Sequence, residues 1–148
     1  MALENITKFL DNIINLDQDL IIGNILKDKD FQRFIIDLNT EEQLFEQGID
    51  SLGVSLGEYS DFTKAVKKVK GQRLDHITLE DTGEFYKSFA IKVQNGGFLI
   101  VADGQKDDTN LFEEYGKEIL GLTDESLQIV IDAIKEKLIP IILTTITA

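Results

Sequence analysis

The sequence predicts a single small α+β domain with N-terminal helices, a central antiparallel hairpin and a long C-terminal amphipathic helix. Three observations predict this class. Apolar residues recur at helical spacing near both ends of the chain, two short apolar segments flank an Asn-Gly pair, and no linker or internal repeat separates these regions. The 148 residues match the length of one ordinary domain, so residues 1–148 are treated as one unit.

Composition excludes several classes of function. The chain has no cysteine, which excludes disulfides, cysteine metal sites and cysteine nucleophiles. Its formal net charge of −12 opposes binding to nucleic acid and to anionic membranes. No apolar segment approaches the roughly 18 residues that mark a membrane-spanning helix. The first ten residues lack the basic-then-apolar pattern of a signal peptide, so we expect synthesis in the cytoplasm.

The N-terminal region is predicted to be helical. Within residues 3–15, apolar residues recur at intervals of three and four, at Leu3, Ile6, Leu10 and Ile13. The apolar segment 20–26 is short and ambiguous. A further helix is expected to begin at Asp28 or Asp30, with an apolar stripe formed by Phe31, Phe34, Ile35 and Leu38.

Two later segments have the spacing of a capping box, in which the N-cap side chain and a Glu or Gln three residues later satisfy each other's backbone donors. At residues 40–43 this pattern leaves two alternatives: the helix restarts there, or it continues with a bend to Gln47. At residues 81–84 it predicts a short helix capped by Asp81, with Phe85 and Phe89 on one face.

The middle of the chain contains a glycine-rich loop and a short basic helix. Residues 48–59 have three glycines and no periodicity, so we predict a loop. Ser60 or Asp61 is expected to cap a helix that ends before Gly71. The basic residues of this segment, with no acidic residue among them, are Lys64, Lys67, Lys68, Lys70 and Arg73. They form either a solvated face or a contact strip for an acidic partner, which could be another copy of this chain.

Residues 88–93 and 98–102 are the predicted strands. Asn95 and Gly96 between them supply the two positive-φ positions of a tight hairpin turn. The first strand alternates, with Phe89, Ile91 and Val93 on one face. The second strand is apolar on both faces, so we expect cover on both sides, from helices or from a neighbouring subunit.

The C-terminal helix has the strongest pattern. Thr123 is its predicted cap, and the apolar residues within one arc of about 100° are Leu127, Val130, Ile131, Ile134 and Leu138. Pro140 is expected to end or kink the helix. The uncharged apolar tail, residues 141–148, should then pack on the body or on a partner. Before this helix, Leu111–Tyr115 is predicted to be a short helix that ends at Gly116.

Few residues have the spacing of a catalytic or metal site. His76 is the only histidine and is interpreted as a surface or loop residue beside Asp75. The acidic segment 103–110 fails the register of a calcium-binding loop and is interpreted as a polar hairpin connection. No glycine-rich phosphate-binding motif occurs. We therefore predict no catalytic residue, no cofactor and no metal.

The triplet Asp81-Thr82-Gly83 also occurs at the active site of retroviral-type aspartic proteases, where two chains each provide one aspartate and the pair shares a proton. Glu80 before it and Glu84 after it disagree with that context, because further carboxylates beside a buried dyad would be costly to desolvate. A homodimeric aspartic protease is therefore the third interpretation of the chain, and a helix cap after a turn is the simpler interpretation of the triplet.

The same triplet belongs to a longer pattern. Residues 78–89 resemble the Leu-x-Asp-Thr-Gly-x-[apolar]-x-x-Ser signature of tailed-phage virion morphogenesis proteins, also called tail-completion or neck proteins. Residues 48–63 are similar to the family's Gly-x-x-Leu-x-x-Tyr-Ser-x-x-Thr region, and residues 119–126 resemble the Phe-Leu-Gly-Leu-Ser-x-x-Asp start of its last helix. The three motifs keep the family's order and cover residues 43–138, whereas residues 1–40 lie outside the resemblance.

The resemblance implies a structural virion protein, without catalysis, that acts in phage tail completion or head–tail joining. It also implies a ring of identical subunits that contacts other neck, portal or tail proteins, with no sequence-specific nucleic-acid binding and no membrane. Such a protein is made in the host bacterial cytoplasm and resides in the virion. The residues that carry the motifs, of which the last four are expected to form a structurally essential turn, are Gly57, Tyr59, Ser60, Asp81, Thr82, Gly83 and Ser88.

A rival interpretation comes from the charge alone. A net charge of −12 and an isoelectric point near 4.4 also suit an acidic decoy, which binds a nucleic-acid-binding protein by imitating phosphate charge. The two interpretations predict different behaviour, because a decoy inhibits nucleic-acid binding by its partner and a neck protein is enriched in purified particles.

Overall fold

Helices from both ends of the chain pack against a two-stranded antiparallel hairpin in the computed structural model, which describes residues 3–94 and 96–147. The side chains that lie outside this description are those of Leu3, Phe9, Ile13, Ile14 and Ile146. The arrangement confirms the predicted α+β class, with its hairpin and its long C-terminal helix.

Three helices begin the chain: α1 (Leu3–Ile14), α2 (Gln18–Lys27) and α3 (Lys29–Asp37). The helix predicted over residues 3–15 is therefore confirmed, and Ile6 and Leu10 of its stripe are exposed, whereas the side chains of Leu3 and Ile13 are not described. The ambiguous segment 20–26 is helical. Asp28 caps α3, as one of the two predicted positions, by accepting a hydrogen bond from Phe31 N at 2.9 Å.

Helix α3 continues directly into a π-helical segment, Leu38–Gln47. Of the two alternatives for this region, continuation to Gln47 is therefore correct and a restart at residue 40 is wrong. Thr40 does not cap a helix, because its hydroxyl donates to Ile36 O at 3.0 Å, inside the continuous helix.

The hydrophobic core lies between α2, α3, the hairpin and the C-terminal helix. Its residues of lowest exposure include Leu26, Ile35, Leu44, Ile119 and Val130. Residues from nearly the whole length of the chain therefore share one core, which is what a single domain requires.

The hairpin consists of β1 (Ala90–Gln94) and β2 (Gly97–Val101), with Ile91 opposite Ile100. Gly96 has a φ of +70°, as the predicted turn requires, and Asn95 lies outside the described residues. The core side of β2 is covered, but Leu99 on its other side is exposed. Within the described chain Leu99 stays 49% exposed, so helices of the same chain do not fully cover this face, and cover by a neighbouring subunit, the other predicted alternative, stays a prediction.

The remaining elements are α4 (Asp61–Val69), α5 (Glu84–Lys87), β3 (Gln105–Lys106), β4 (Thr109–Asn110), α6 (Leu111–Tyr115), a 3₁₀ turn (Lys117–Ile119) and α7 (Asp124–Thr147). Strands β3 and β4 pair as the predicted polar hairpin connection.

Two helices begin at side-chain caps. Ser60 caps α4 by accepting from Thr63 N at 3.2 Å, and Thr123 accepts from Ser126 N at 3.1 Å at the start of α7. Both predicted caps are confirmed.

Helix α7 continues through Pro140 to Thr147, so of the two predicted alternatives the proline does not end the helix. Of the predicted apolar arc, Val130 is fully buried and Ile134 and Leu138 pack against the core, whereas Leu127 and Ile131 are 39% and 36% exposed. Ser126 is also buried. The end of α7 packs on α1, where Asn12 Nδ2 donates to Thr145 O at 3.3 Å, and Ala148 lies outside the described residues.

Candidate functional site at the Asp81 turn and helix α4

The Asp81 carboxylate joins three separate segments. Lys70 Nζ, just after α4, donates to Asp81 Oδ1 at 2.9 Å, and Lys106 Nζ of β3 donates to Asp81 Oδ2 at 3.1 Å. Gln72 Nε2 donates to the Asp81 main-chain carbonyl at 2.7 Å. The hydrogen bonds from Lys70 and then from Lys106 hold the pKa of Asp81 well below its usual range. The carboxylate is therefore ionised and shared between two ammonium groups.

This geometry corrects the predicted role of Asp81. The N-cap position of α5 belongs to Gly83, whose φ of +86° suits glycine, and the Asp81 side chain makes no capping bond there. Thr82 Oγ1 accepts weakly from Glu84 N at 3.4 Å. The geometry does not fit a protease dyad either, because a carboxylate locked between two lysines is not available to share a proton with a second aspartate.

Tyrosine hydroxyls bind both the main-chain N–H and the main-chain carbonyl of Thr78. Its N–H donates to Tyr59 OH at 3.0 Å, and its carbonyl accepts from Tyr86 OH. Burial raises the pKa of Tyr86, so this hydroxyl stays a donor. Nearby, the Gly57 carbonyl accepts from Ile77 N at 3.0 Å, with Gly57 at a φ of +97°. The loop at residues 48–59 is thereby fastened to the segment that precedes Asp81.

Ser88 fastens the other end of the turn. Its hydroxyl donates to Phe85 O at 2.6 Å and accepts from Asp103 N at 2.9 Å. The end of α5 is therefore tied to the chain that leaves β2. The rings of Phe85 and Phe89 lie 5.0 Å apart, but α5 ends at Lys87, so these two residues are in contact without sharing a helix face as predicted.

Two cavities meet at Asp81. The larger, about 340 Å³, lies between α4 and α6 and is lined by Tyr59, Phe62, Leu111 and Tyr115, among others. The smaller, about 180 Å³, is lined by the predicted motif residues Asp81, Thr82, Gly83 and Ser88. The structure therefore brings most of the predicted residues to one surface, with Ser60 at the adjoining end of α4.

Helix α4 presents its polar face to the protein and its apolar face to solvent. Lys67 is only 8% exposed, and its Nζ donates to Glu80 O at 2.9 Å and lies 4.6 Å from the centroid of the Tyr59 ring. On the opposite face, Phe62 is 79% and Val69 89% exposed. The sequence analysis predicted a short basic helix here but did not indicate which of its faces is buried.

The basic segment is neither a uniformly solvated face nor a uniform contact strip. Lys67 is buried, Lys70 pairs with Asp81, and Lys64 lies 3.7 Å from Glu58. Arg73, a further member, pairs with Asp75 at 2.6 Å and with Glu46 at 3.1 Å. Lys68 alone of the five is exposed without an ion pair to any described residue.

His76 is a loop residue, as one of the two interpretations predicted, but it is partly buried. Its Nε2 lies 2.6 Å from Phe45 O, and its Nδ1 lies 3.3 Å from Asp75 Oδ2. The ring also contacts Gly48, where an added Cβ would lie 2.4 Å from the imidazole. The histidine therefore packs the 48–59 loop against the π-helical segment.

The sequence did not indicate the roles of two buried amide side chains, Asn39 and Gln43. Asn39 donates to Ile119 O at 3.0 Å and accepts from Gly121 N at 2.8 Å. Gln43 donates to Gly121 O at 2.9 Å and accepts from Thr123 N at 2.9 Å. Both side chains are fully buried. Their spacing of four residues was the only signal in the sequence, and it does not identify their partners.

The described part of the chain contains no group of three or more His, Asp or Glu residues placed to hold a metal ion. None of its helices is both long and apolar enough to cross a membrane. Comparison of the sequence with protein-family models and curated proteins, and of the structure with solved structures, finds no match.

Proposed function

We propose that this chain is a structural virion protein of a tailed phage, acting without catalysis in tail completion or head–tail joining. The observation that carries the proposal is the order and spacing of the three motifs at residues 48–63, 78–89 and 119–126, which resemble those of virion morphogenesis proteins. The protein would be made in the host bacterial cytoplasm and would remain in the virion at the head–tail junction.

Contacts between the motifs support this proposal. Tyr59 of the first motif is hydrogen-bonded to Thr78 of the second, and Ser51 N donates to Glu118 O beside the third at 2.8 Å. Segments far apart in the chain thus form one hydrogen-bonded scaffold. A shared scaffold explains why a short pattern of residues would recur in a family that has no common active site.

The hydrogen bonds of the polar motif side chains also support a structural role. The side chains of four motif residues form hydrogen bonds within the chain: Tyr59, Ser60, Asp81 and Ser88. Groups occupied in this way position backbone segments and are not free to act on a substrate. A structural role fits these residues better than a catalytic one.

Exposed apolar surface also supports an assembled subunit. Besides the outer face of α4, Leu99 of β2 and Ile139 and Leu143 of α7 are exposed. Apolar residues that are exposed together, as Phe62, Val66 and Val69 are on α4, are typical of regions that other proteins cover. A ring of subunits, with neighbours from the neck, portal or tail, would provide that cover.

The test is a stop codon in this gene within its phage, followed by electron microscopy of the particles. Filled heads beside unattached or malformed tails are expected, and the wild-type gene supplied in trans should restore joined particles. An Asp81→Asn copy that restores them would exclude catalysis by this aspartate. Normal infectious particles would contradict the proposal and favour the acidic decoy, which should inhibit a nucleic-acid-binding protein with strong salt dependence.

A further inference from the structure

The outer face of α4 is an apolar stripe. Phe62, Ala65, Val66 and Val69 recur at intervals of three and four residues, so they lie on one side of the helix, and all are exposed. An aromatic side chain that is 79% exposed, beside a valine that is 89% exposed, is unusual for a nine-residue helix in a soluble domain. The stripe therefore has the properties of a surface that another molecule covers.

Contacts on the opposite face prevent α4 from turning this stripe inward. Lys67 is anchored by the Glu80 carbonyl and by the Tyr59 ring, and Lys70 by Asp81. Rotation of the helix would break these bonds and leave the Glu80 carbonyl without the donor that Lys67 provides. The exposure of Phe62 and Val69 is thus built into the fold.

A receptor for an apolar side chain lies beside the stripe. The cavity of about 340 Å³ is bounded by Phe62 and Val66 on one side and by Leu79, Leu111 and Tyr115 on the other. An aromatic anchor and a pocket with apolar walls are therefore adjacent on the same patch. Such a patch is self-complementary, because two copies related by a twofold axis can each insert their anchor into the other's pocket.

Charge favours a second copy as the partner. The chain carries a net charge of −12, so two copies repel one another over most of their surfaces. Residues 62–74 have five basic residues and no acidic one, and Lys68 has no ion pair to a described residue. The far wall of the cavity carries Glu114, which is exposed. Four of the five basic residues are buried or ion-paired within their own chain, so the charge contact left for a second copy is Lys68 of one copy against the exposed Glu114 of the other.

We propose that α4 is a self-association surface, through which two copies of this chain pair by placing each Phe62 in the other's cavity between α4 and α6. The pairing goes beyond the proposed function, because a twofold contact closes on itself and describes a dimer of the free chain, not the head-to-tail contact of a ring. It is tested on the purified chain, so its outcome is separate from that of the phage experiment.

Sedimentation velocity over a range of concentrations tests the pairing. The wild-type chain should sediment as a dimer at roughly micromolar to hundred-micromolar concentration. Phe62→Ser should weaken association by about tenfold or more, because it removes a central aromatic anchor. Thr109→Trp, at an exposed residue that lines the cavity, should have a similar effect by filling the pocket.

Matched controls separate this surface from others. Leu20→Ser replaces a leucine on α2 that is 59% exposed and should leave the dimer intact. Lys68→Glu should weaken association several-fold, whereas Lys92→Glu, the same charge change on an exposed residue of β1, should not. Circular dichroism of each variant verifies that the chain remains folded.

Three results would overturn the pairing. A wild-type chain that stays monomeric up to about millimolar concentration has no such surface. Association that Phe62→Ser and Thr109→Trp leave unchanged uses another surface. A photo-crosslinker at position 62 that captures a different virion protein in assembled particles, and no second copy, assigns the stripe to that protein instead.

Discussion

Helices α3 and α4 are both nine residues long and both strongly amphipathic, yet they face the protein in opposite senses. Helix α3 buries Phe31 and Ile35 in the core. Helix α4 buries Lys67 and exposes Phe62 and Val69. The comparison shows that periodicity reveals two faces of a helix but does not specify which one is inside.

The surroundings of each helix explain the difference. Helix α3 lies against α2 and β1, which offer apolar side chains to its stripe. Helix α4 lies against the loop segment at Glu80, which offers a main-chain carbonyl, and against the Tyr59 ring, which offers a π face. An ammonium group gains from such partners, whereas an apolar stripe would leave the carbonyl without a donor.

The largest expected effect is on the side of α3 and its π-helical continuation. Gln43→Met keeps the volume of the side chain but removes the donor to Gly121 O and the acceptor for Thr123 N. Two hydrogen bonds are lost, so we expect the free energy of unfolding in urea to fall by about 2–4 kcal/mol. Gln47→Met, at an exposed position of the same segment, is the control and should change it little. Equal effects would mean that the buried amides do not hold this helix in place.

A smaller effect is expected where α4 meets the protein. Lys67→Met retains most of the apolar stem but removes the donor to Glu80 O and the cation over Tyr59. We expect the free energy of unfolding to fall by about 1–2 kcal/mol, since relief from burying a charge offsets part of the loss. Lys68→Met, one residue along and exposed, should be nearly neutral. If Lys67→Met stabilised the chain, the contacts of Lys67 with the Glu80 carbonyl and the Tyr59 ring would not determine the orientation of α4.

Asp81→Asn tests the hydrogen bonds from Lys70 and Lys106 to the Asp81 carboxylate, which connect the end of α4 to the turn and to β3. Because the lysines lower the pKa of Asp81 in the folded chain, its carboxylate stabilises the fold above the unfolded pKa of about 4 and loses that contribution as the pH falls below it. We expect a loss of about 1 kcal/mol at pH 7, after allowance for partial solvent screening. The difference from wild type should shrink near pH 3 in urea melts of both proteins.

The control for Asp81→Asn is Asp108→Asn, which removes an exposed carboxylate that has no ion pair to a described residue. Its urea midpoint should match that of the wild type at both pH values. A difference between Asp81→Asn and wild type that persisted unchanged at pH 3 would contradict the ion-pair explanation, since protonation of Asp81 in the unfolded chain should by then reduce it.

The smallest effect is expected on the outer face of α4. Val69→Ser should change the free energy of unfolding of the monomer by no more than about 0.5 kcal/mol, because the side chain is exposed. Val130→Ser, in the fully buried part of α7, should lower it by at least about 2 kcal/mol. Thermal melts of dilute samples compare the two valines. A large cost at Val69 would show that this residue packs within its own chain.

The sequence alone determined several features that arise from contacts within about four residues. The cap at Thr123 and the hairpin around Gly96 follow from local hydrogen bonding and backbone freedom, and both are found. The caps Asp28 and Ser60 are found as well, each as one of two positions that the sequence left open, whereas the local pattern at Thr40 does not form a cap. Around the candidate site, the motif residues could be named in advance. Their roles could not, because Asp81 reads locally as a helix cap while its partners lie 11 and 25 residues away.

Tertiary structure decided what depends on distant partners. The π-helical course of Leu38–Gln47 is accompanied by amides that reach backbone groups 78–82 residues further along the chain. The inward face of α4 depends on a carbonyl at Glu80 and on the ring of Tyr59. Local spacing shows that a polar group needs a partner, but only the folded chain determines which distant group supplies it, since buried polar groups must be satisfied wherever the fold places them.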